Sequence, residues 1–360
     1  MKKIYTLALS LTVLIGFGQA PANYYNTATG TGYTLKTQLY NIIKGHNDRG
    51  YAGLYTTYRT SDTDLFYENN GTMLDMYSEN PTGPDAYEYT YGFLQDDGTL
   101  GTNEGERYNR EHLVPQSVFG SATPMYSDAH FIVPSDKHVN GVRNNFPFGK
   151  VQNASFTSTN GSKLGSNTNT GYAAGYSGTV FEPIDEFKGD IARMYFYFAT
   201  RYENVVSGYT YAMFNGTSNQ VFTPAFKNIL LEWNRMDPVS DREIIRNNAI
   251  YARQNNRNPY IDHPEYVAAI WGAPLATVSY EELADVSVYP NPSHDHKINI
   301  YSEKQLDEIQ LVNINGQILI QVQKPVLNSD AYSLDNLPEG FYFLKLTSGN
   351  ASTTKKVLIN

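Results

Sequence analysis

The sequence predicts an α+β chain: a mainly helical domain over residues 21–278, followed by a small all-β sandwich over 285–360. Two observations predict it. Between residues 188 and 254 apolar residues recur at helical spacing, whereas beyond about Thr277 they alternate in short runs separated by turn residues. Within the helical part, two short apolar segments near residues 110 and 132 read as strand, loop, strand and helix.

The elements follow in chain order. Met1-Lys-Lys, an apolar run from Ile4 to Phe17 and Gly18-Gln-Ala20 form a signal peptide cleaved after Ala20. That run is too short to span a bilayer, and no later segment is long and apolar enough, so the mature protein is expected outside the cytoplasm without stable membrane insertion. Thr34 caps a helix that puts Leu35, Leu39, Ile42 and Ile43 on one face. The Asn, Ser, Thr and Gly-rich stretch 153–178 lacks periodicity and reads as a loop. Helices are expected over 188–203, burying Ile191, Met194, Tyr195 and Phe198, and over 223–235, burying Phe226, Ile229, Leu230 and Trp233. Ser240-Asp-Arg-Glu243 is a capping box opening a helix through about Gln254. His46 and His263 fall at helix boundaries and read as structural. Strands of an antiparallel sandwich are expected at 297–301, 308–313, 317–322, 341–346 and 353–359, with turns at Asn291-Pro292, Asn315-Gly316 and Pro338-Glu-Gly340. There is no internal repeat.

Chemistry concentrates in Arg110-Glu-His-Leu-Val-Pro115 and His130-Phe-Ile-Val-Pro-Ser-Asp-Lys-His-Val-Asn-Gly141. The first places a carboxylate and an imidazole together on a strand ended by proline. The second is a strand closed by Pro134 that enters a helix capped by Ser135, with Asn140 about a turn and a half inside. Phosphodiester hydrolysis needs a base for water and a cation to offset oxyanion charge. His112, neutral at pH 7, suits the base, and Glu111 and Asn140 offer the hard oxygens a divalent cation prefers. Successive strand side chains diverge, so Glu111 and His112 converge only if the strand bends or bulges. Asn144 shares a helical face with Asn140 and is a second choice, whereas His138 points elsewhere. Blander readings compete: a Glu-His pair also occurs as a surface ion pair, an asparagine near a helix start as a local hydrogen bonder, and His130 as a core residue beneath the site.

Tyr108-Asn-Arg-Glu-His-Leu-Val-Pro-Gln-Ser117, Asp128-Ala-His-Phe-Ile-Val-Pro-Ser-Asp136 and Val139-Asn-Gly-Val-Arg-Asn-Asn-Phe-Pro-Phe-Gly149 resemble the bacterial endonuclease I family of ββα-metal, or His-Me finger, nucleases. The likeness continues through Gly189-Asp-Ile-Ala-Arg-Met-Tyr-Phe-Tyr, Leu231-Glu-Trp-Asn and Asn256-Arg-Asn-Pro-Tyr-Ile-Asp-His-Pro-Glu, covering most of residues 25–275. It implies a ββα-metal motif with His112 as general base, Glu111 and Asn140 as metal ligands, and Arg143 as a phosphate contact. The implied cofactor is Mg²⁺, with Ca²⁺ or Mn²⁺ as alternatives. Secreted relatives often carry disulfides, but this chain has no cysteine, which also excludes a Cys₄ zinc site. Val288-Tyr-Pro-Asn-Pro, Leu337-Pro-Glu-Gly-Phe-Tyr-Phe-Leu-Lys-Leu and Lys355-Lys-Val-Leu-Ile-Asn resemble the C-terminal sorting domain of the type IX secretion system. That likeness implies passage through the periplasm to the medium or cell surface, with the secretion machinery as partner and usually removal of the tail. An adhesive or carbohydrate-binding module is the competing reading.

The net charge of −9 divides as +2 over residues 1–20, −7 over 21–278 and −4 over 279–360. Residues 107–150 reverse the sign, with Arg107, Arg110, Lys137, Arg143 and Lys150 against three acids, so a positive cleft on an acidic body is expected. No arrangement for base readout is visible. The expected function is that of a secreted, monomeric, metal-dependent, non-specific endonuclease acting on DNA and/or RNA. The alternatives are a phosphodiesterase of other specificity and an inactive cell-surface binding protein.

Overall fold

The computed structural model describes residues 20–99, 101–272, 281–282, 286–314, 317–328, 330–349 and 351–360. The segment expected to be a signal peptide lies outside these residues except for Ala20. Two compact units emerge, Met1–Gly272 and Ala273–Asn360.

The first unit contains helices α1 (Gly32–Ile43) and α2 (Gly53–Ser61), strands β1 (Tyr108–His112) and β2 (Ile132–Asp136), and helix α3 (Lys137–Arg143). Strands β3 (Val151–Thr157), β4 (Lys163–Asn167) and β5 (Thr179–Glu182) follow, then helices α4 (Lys188–Arg201), α5 (Pro224–Met236), α6 (Asp241–Gln254), α7 (Pro259–Asp262) and α8 (Glu265–Ile270). Helix α4 is the axis of the core: all of its residues are buried, not only the four of the apolar stripe. Its charged members are matched inside the protein. Lys188 meets Glu182 at 2.7 Å, Arg193 meets Glu243 at 2.6 Å, and Asp190 pairs with Arg242. Breaking one such buried pair typically costs ~3–5 kcal/mol, so in a chain without cysteine the Arg193 and Asp190 pairs tie α4 to α6 and the Lys188 pair ties it to β5. Helix α5 buries Phe226, Ile229, Leu230 and Trp233, and α6 opens with the predicted capping box.

Two local expectations are corrected. Helix α1 begins at Gly32 behind Thr31, not at a Thr34 cap, because Gln38 reaches back to accept the Gly30 N–H at 2.8 Å and sets the entry of the chain. The stretch 153–178 is not a loop: most of β3 and all of β4 lie in or beside it, and β4 pairs with both β3 and β5. The side chains of β3 are mostly exposed and two register shifts break its alternation, so the strand left no apolar signal. Gly165 permits the close approach, since a Cβ there would stand 2.1 Å from the Asn153 carbonyl oxygen.

The second unit holds β6 (Glu281–Glu282), β7 (Val286–Tyr289), β8 (Ile298–Ser302), β9 (Glu308–Asn313), β10 (Ile318–Gln323), β11 (Tyr332–Leu334), β12 (Gly340–Ser348) and β13 (Ala351–Ile359). Two sheets, ordered β10-β9-β12-β13-β6 and β11-β8-β7, enclose a core that includes Ile298, Ile300, Ile309, Leu311, Leu344, Leu346 and Val357. The period-two alternation that predicted these strands is the burial pattern they show. The sheets are antiparallel except that β6 joins β13 in parallel. Among the described residues no helix is long and apolar enough to cross a membrane.

Candidate active site

Strands β1 and β2 form an antiparallel ladder from Tyr108 opposite Asp136 to His112 opposite Ile132, and α3 starts as the ladder ends. Pro134 sits within β2 rather than closing it, as a two-stranded ladder with free outer edges allows. The cap of α3 is Asp136, not Ser135. Its carboxylate accepts the Val139 N–H at 2.8 Å, and also the Tyr89 hydroxyl at 2.6 Å and the Gly105 N–H at 2.8 Å, whereas the Ser135 hydroxyl donates to the Asp136 carbonyl.

A cleft of about 470 Å³ opens at this junction, and Asn109, Arg110, Glu111, His112, Asn140 and Arg143 all line it. No bulge was needed. The register of β1 is unbroken, and Glu111 and His112 share the cleft because His112 is the last residue of the strand and the cleft reaches round that end. Asn140 lies inside α3, while Asn144 leaves it with φ 51° yet still lines the cleft.

Glu111 is buried, and one of its oxygens, Oε1, accepts the Tyr77 hydroxyl at 2.9 Å and faces Arg143 Nη1 at 3.0 Å. Burial pushes this carboxyl above the ordinary range, with Arg143 pulling the other way. Its second oxygen, Oε2, accepts no hydrogen bond among the described residues. Asn140 donates its Nδ2–H to Asn109 Oδ1 at 2.7 Å, which orients the amide and leaves its own Oδ1 without a protein donor among the described residues. Arg143 is fully buried: Nη1 donates to the His112 carbonyl at 2.9 Å, Nη2 to the Leu113 carbonyl at 2.6 Å, and the guanidinium lies 4.6 Å from the Phe148 ring centroid.

The His112 ring lies 5.8 and 5.5 Å, centroid to centroid, from the rings of Tyr51 and Tyr126, which stack on each other at 4.1 Å, and its Nε2 lies 3.4 Å from the Tyr126 carbonyl oxygen. Burial first, then the nearby Arg110 and Arg143 charges, pull its pKa down to about 4, so the imidazole is neutral at pH 7. Arg110 lies over Tyr51 at 3.4 Å and Tyr55 at 4.3 Å and donates to the Tyr51 carbonyl.

The remaining histidines stand apart. His130 is buried away from the cleft, with Nε2 3.0 Å from the Asn256 carbonyl oxygen and its ring 4.6 Å from that of Tyr197. His46 Nδ1 accepts from Arg201, His263 pairs with Glu265, and His138 packs edge-on to Phe156. Sequence reasoning missed Tyr77, Asn109, Tyr51 and Tyr126. Only Asn109 had a signal, its position two residues before Glu111 on the same strand face.

The charge count overstates the free positive charge near the cleft, although Arg110 lines it without an ion pair among the described residues. Arg107 pairs with Asp97, Lys137 with Asp96 and Arg143 with Glu111. Asp96 and Asp97 come from outside the counted window, so a local tally could not see them.

The sequence profile of the Endonuclease I family matches residues 31–265. This chain belongs to the endonuclease I family. It is 35% identical over 261 residues to the "Extracellular ribonuclease" of Bacillus subtilis (strain 168), an alignment covering 69% of this chain and 78% of that protein. The protein of the same name from Bacillus amyloliquefaciens is 35% identical over 254 residues, with the same coverage of each chain. An "Endonuclease-1" of Buchnera aphidicola is 24% identical over 177 residues, 44% of this chain and 63% of that one. Residues 287–360 match the Secretion system C-terminal sorting domain, so this endonuclease I homologue is a nuclease exported by the type IX system.

Proposed function

We propose that the chain is a divalent-metal-dependent, non-specific endonuclease that hydrolyses DNA and RNA, with residues 21–278 as the catalytic domain and 285–360 as a removable address. The observation that carries this reading is that two oxygens of one cleft, Glu111 Oε2 and Asn140 Oδ1, lack protein donors among the described residues, beside a neutral imidazole. The other polar atoms of those two side chains are already held by Tyr77, Arg143 and Asn109, so the free oxygens are pre-oriented. Strand, strand and helix thus present their side chains as a ββα-metal motif would. A hard cation fits this donor set. Glu111 and Asn140 would hold it, and when bound it supplies positive charge for the scissile phosphate and the leaving 3′ oxygen, charge that the paired arginines and lysine of this region do not provide.

His112 would take the proton from the attacking water, in the neutral form its burial favours. The stacked Tyr51–Tyr126 pair lies beside that imidazole, and the Tyr126 carbonyl oxygen faces its Nε2 at 3.4 Å. We assign Arg143 to bracing: its guanidinium faces Glu111 and binds the end of β1 from inside the protein, which suits a positioning residue better than a phosphate contact. Relatives named ribonuclease support action on RNA, whereas the name Endonuclease-1 does not specify the nucleic acid. Supercoiled plasmid and RNA incubated with the purified protein should both be cut with Mg²⁺ and neither with EDTA. Cleavage indifferent to EDTA would remove the metal from the mechanism. No cleavage of either would favour a phosphodiesterase of other specificity or a binding protein.

A further inference from the structure

Residues 60–106 contain eleven Asp and Glu and no Lys, Arg or His. The fold draws five of these acids into one neighbourhood between α2 and β1. The carboxylate oxygens of Asp64, Glu68 and Glu79 lie within 4.8 Å of one another, and those of Glu68, Asp85 and Glu88 do the same, so Glu68 joins the two groups. Among the described residues, none of the five forms an ion pair with Lys, Arg or His.

Carboxylate crowding alone is common on surfaces; Glu79 is the unusual member. It is 1% exposed, it sits against Asp64 and Glu68, and its buried Oε1 has no hydrogen-bond partner among the described residues. A buried acceptor without a donor ordinarily costs ~1–3 kcal/mol, more if charged, so the arrangement asks for a partner. The backbone does not let Glu79 swing away: its N–H donates to the Asp75 carbonyl at 2.9 Å, and its carbonyl accepts from Asn160 Nδ2 at 3.1 Å. Asp64 is likewise fixed, accepting the backbone N–H groups of Phe66, Tyr67 and Asn69. Glu68 also lines a neighbouring cavity of about 430 Å³, which gives access from solvent and room for water ligands.

We propose that Asp64, Glu68 and Glu79 form a calcium site that stabilises the fold, separate from the cleft holding Glu111 and Asn140. The donors are hard oxygens, and Ca²⁺ takes 6–8 of them in flexible geometry, combining carboxylates with water, whereas Mg²⁺ demands a near-octahedral set. Export by the type IX system delivers the chain outside the cell, where calcium modules bind with Kd of ~10⁻⁴–10⁻³ M. An ion here would fasten the loop after α2 to the segment around Glu79.

The test uses the full chain carrying Glu111→Gln, which silences the other cation site. Adding 5 mM CaCl₂ should raise Tm by on the order of 5 °C. The rise should vanish on adding Glu79→Gln, and calorimetric calcium affinity should fall at least tenfold. Glu68→Gln, at a half-buried position, should have the same effect and serves if Glu79→Gln does not fold. Absence of a calcium-induced rise in the Glu111→Gln protein would overturn the proposal, as would a rise untouched by Glu68→Gln. An equal rise with 5 mM MgCl₂ would overturn the assignment to calcium.

Discussion

Replacing Arg143 by methionine removes the cation facing Glu111 while leaving a side chain able to cover Phe148. Both partners are almost completely buried, so the surviving carboxylate cannot turn to solvent. Removing one member of a buried pair costs ~3–5 kcal/mol, and the His112 and Leu113 carbonyls each lose a donor besides. We therefore expect Arg143→Met to cost about 4 kcal/mol or more in urea unfolding at pH 7. Glu111→Gln keeps a group able to accept from Tyr77 but carries no charge to strand, so the double variant should recover about 2 kcal/mol relative to the sum of the singles. A loss below about 1 kcal/mol for Arg143→Met, or strict additivity in the cycle, would refute the bracing role. A phosphate-contacting arginine would instead leave stability intact and raise KM.

Three further outcomes are expected. His112 is held down to about 4, so the acid limb of kcat/KM should fall near pH 4 rather than at the ordinary histidine value of roughly 6.5, and a limb at 6.5 would contradict the buried neutral base. His112 and His130, both lowered to about 4 by burial, take up protons on unfolding; each should therefore withdraw up to about 3 kcal/mol of stability as pH falls from 6.5 to 4, seen as a falling urea midpoint. Deleting residues 285–360 should leave the purified enzyme's cleavage rate unchanged but retain it within the cell envelope of its host, and normal export without the tail would refute the sorting role.

What the sequence disclosed depended on the range of the interaction. The segments around Glu111 and Asn140 were legible because a strand pair and the helix that follows it are local, and the cleft does gather Glu111, His112 and Asn140. Helices α5 and α6 were legible from an apolar stripe and a capping box. Tyr77 and Tyr126 were not, since contacts with the site made across the fold leave no spacing pattern and none of thirty tyrosines stands out. The same limit hid Asp96 and Asp97, whose pairing with Lys137 and Arg107 reduces the free positive charge of the region. Strands β3 and β4 escaped because an exposed, bulged ladder is held by main-chain bonds that any polar sequence can make. Helix α4 is buried on every side, so its apolar stripe understated its place in the core.

The most direct test of the central claim is His112→Ala, measured for plasmid cleavage under single-turnover conditions with Mg²⁺ affinity determined by calorimetry on the same protein. His112 is assigned to the proton and not to the cation, so cleavage should fall by ~10²-fold or more while metal affinity stays within about twofold of wild type. Glu111→Ala should lose both together. A folded His112→Ala protein that kept most of its cleavage rate, or lost its metal, would contradict the account.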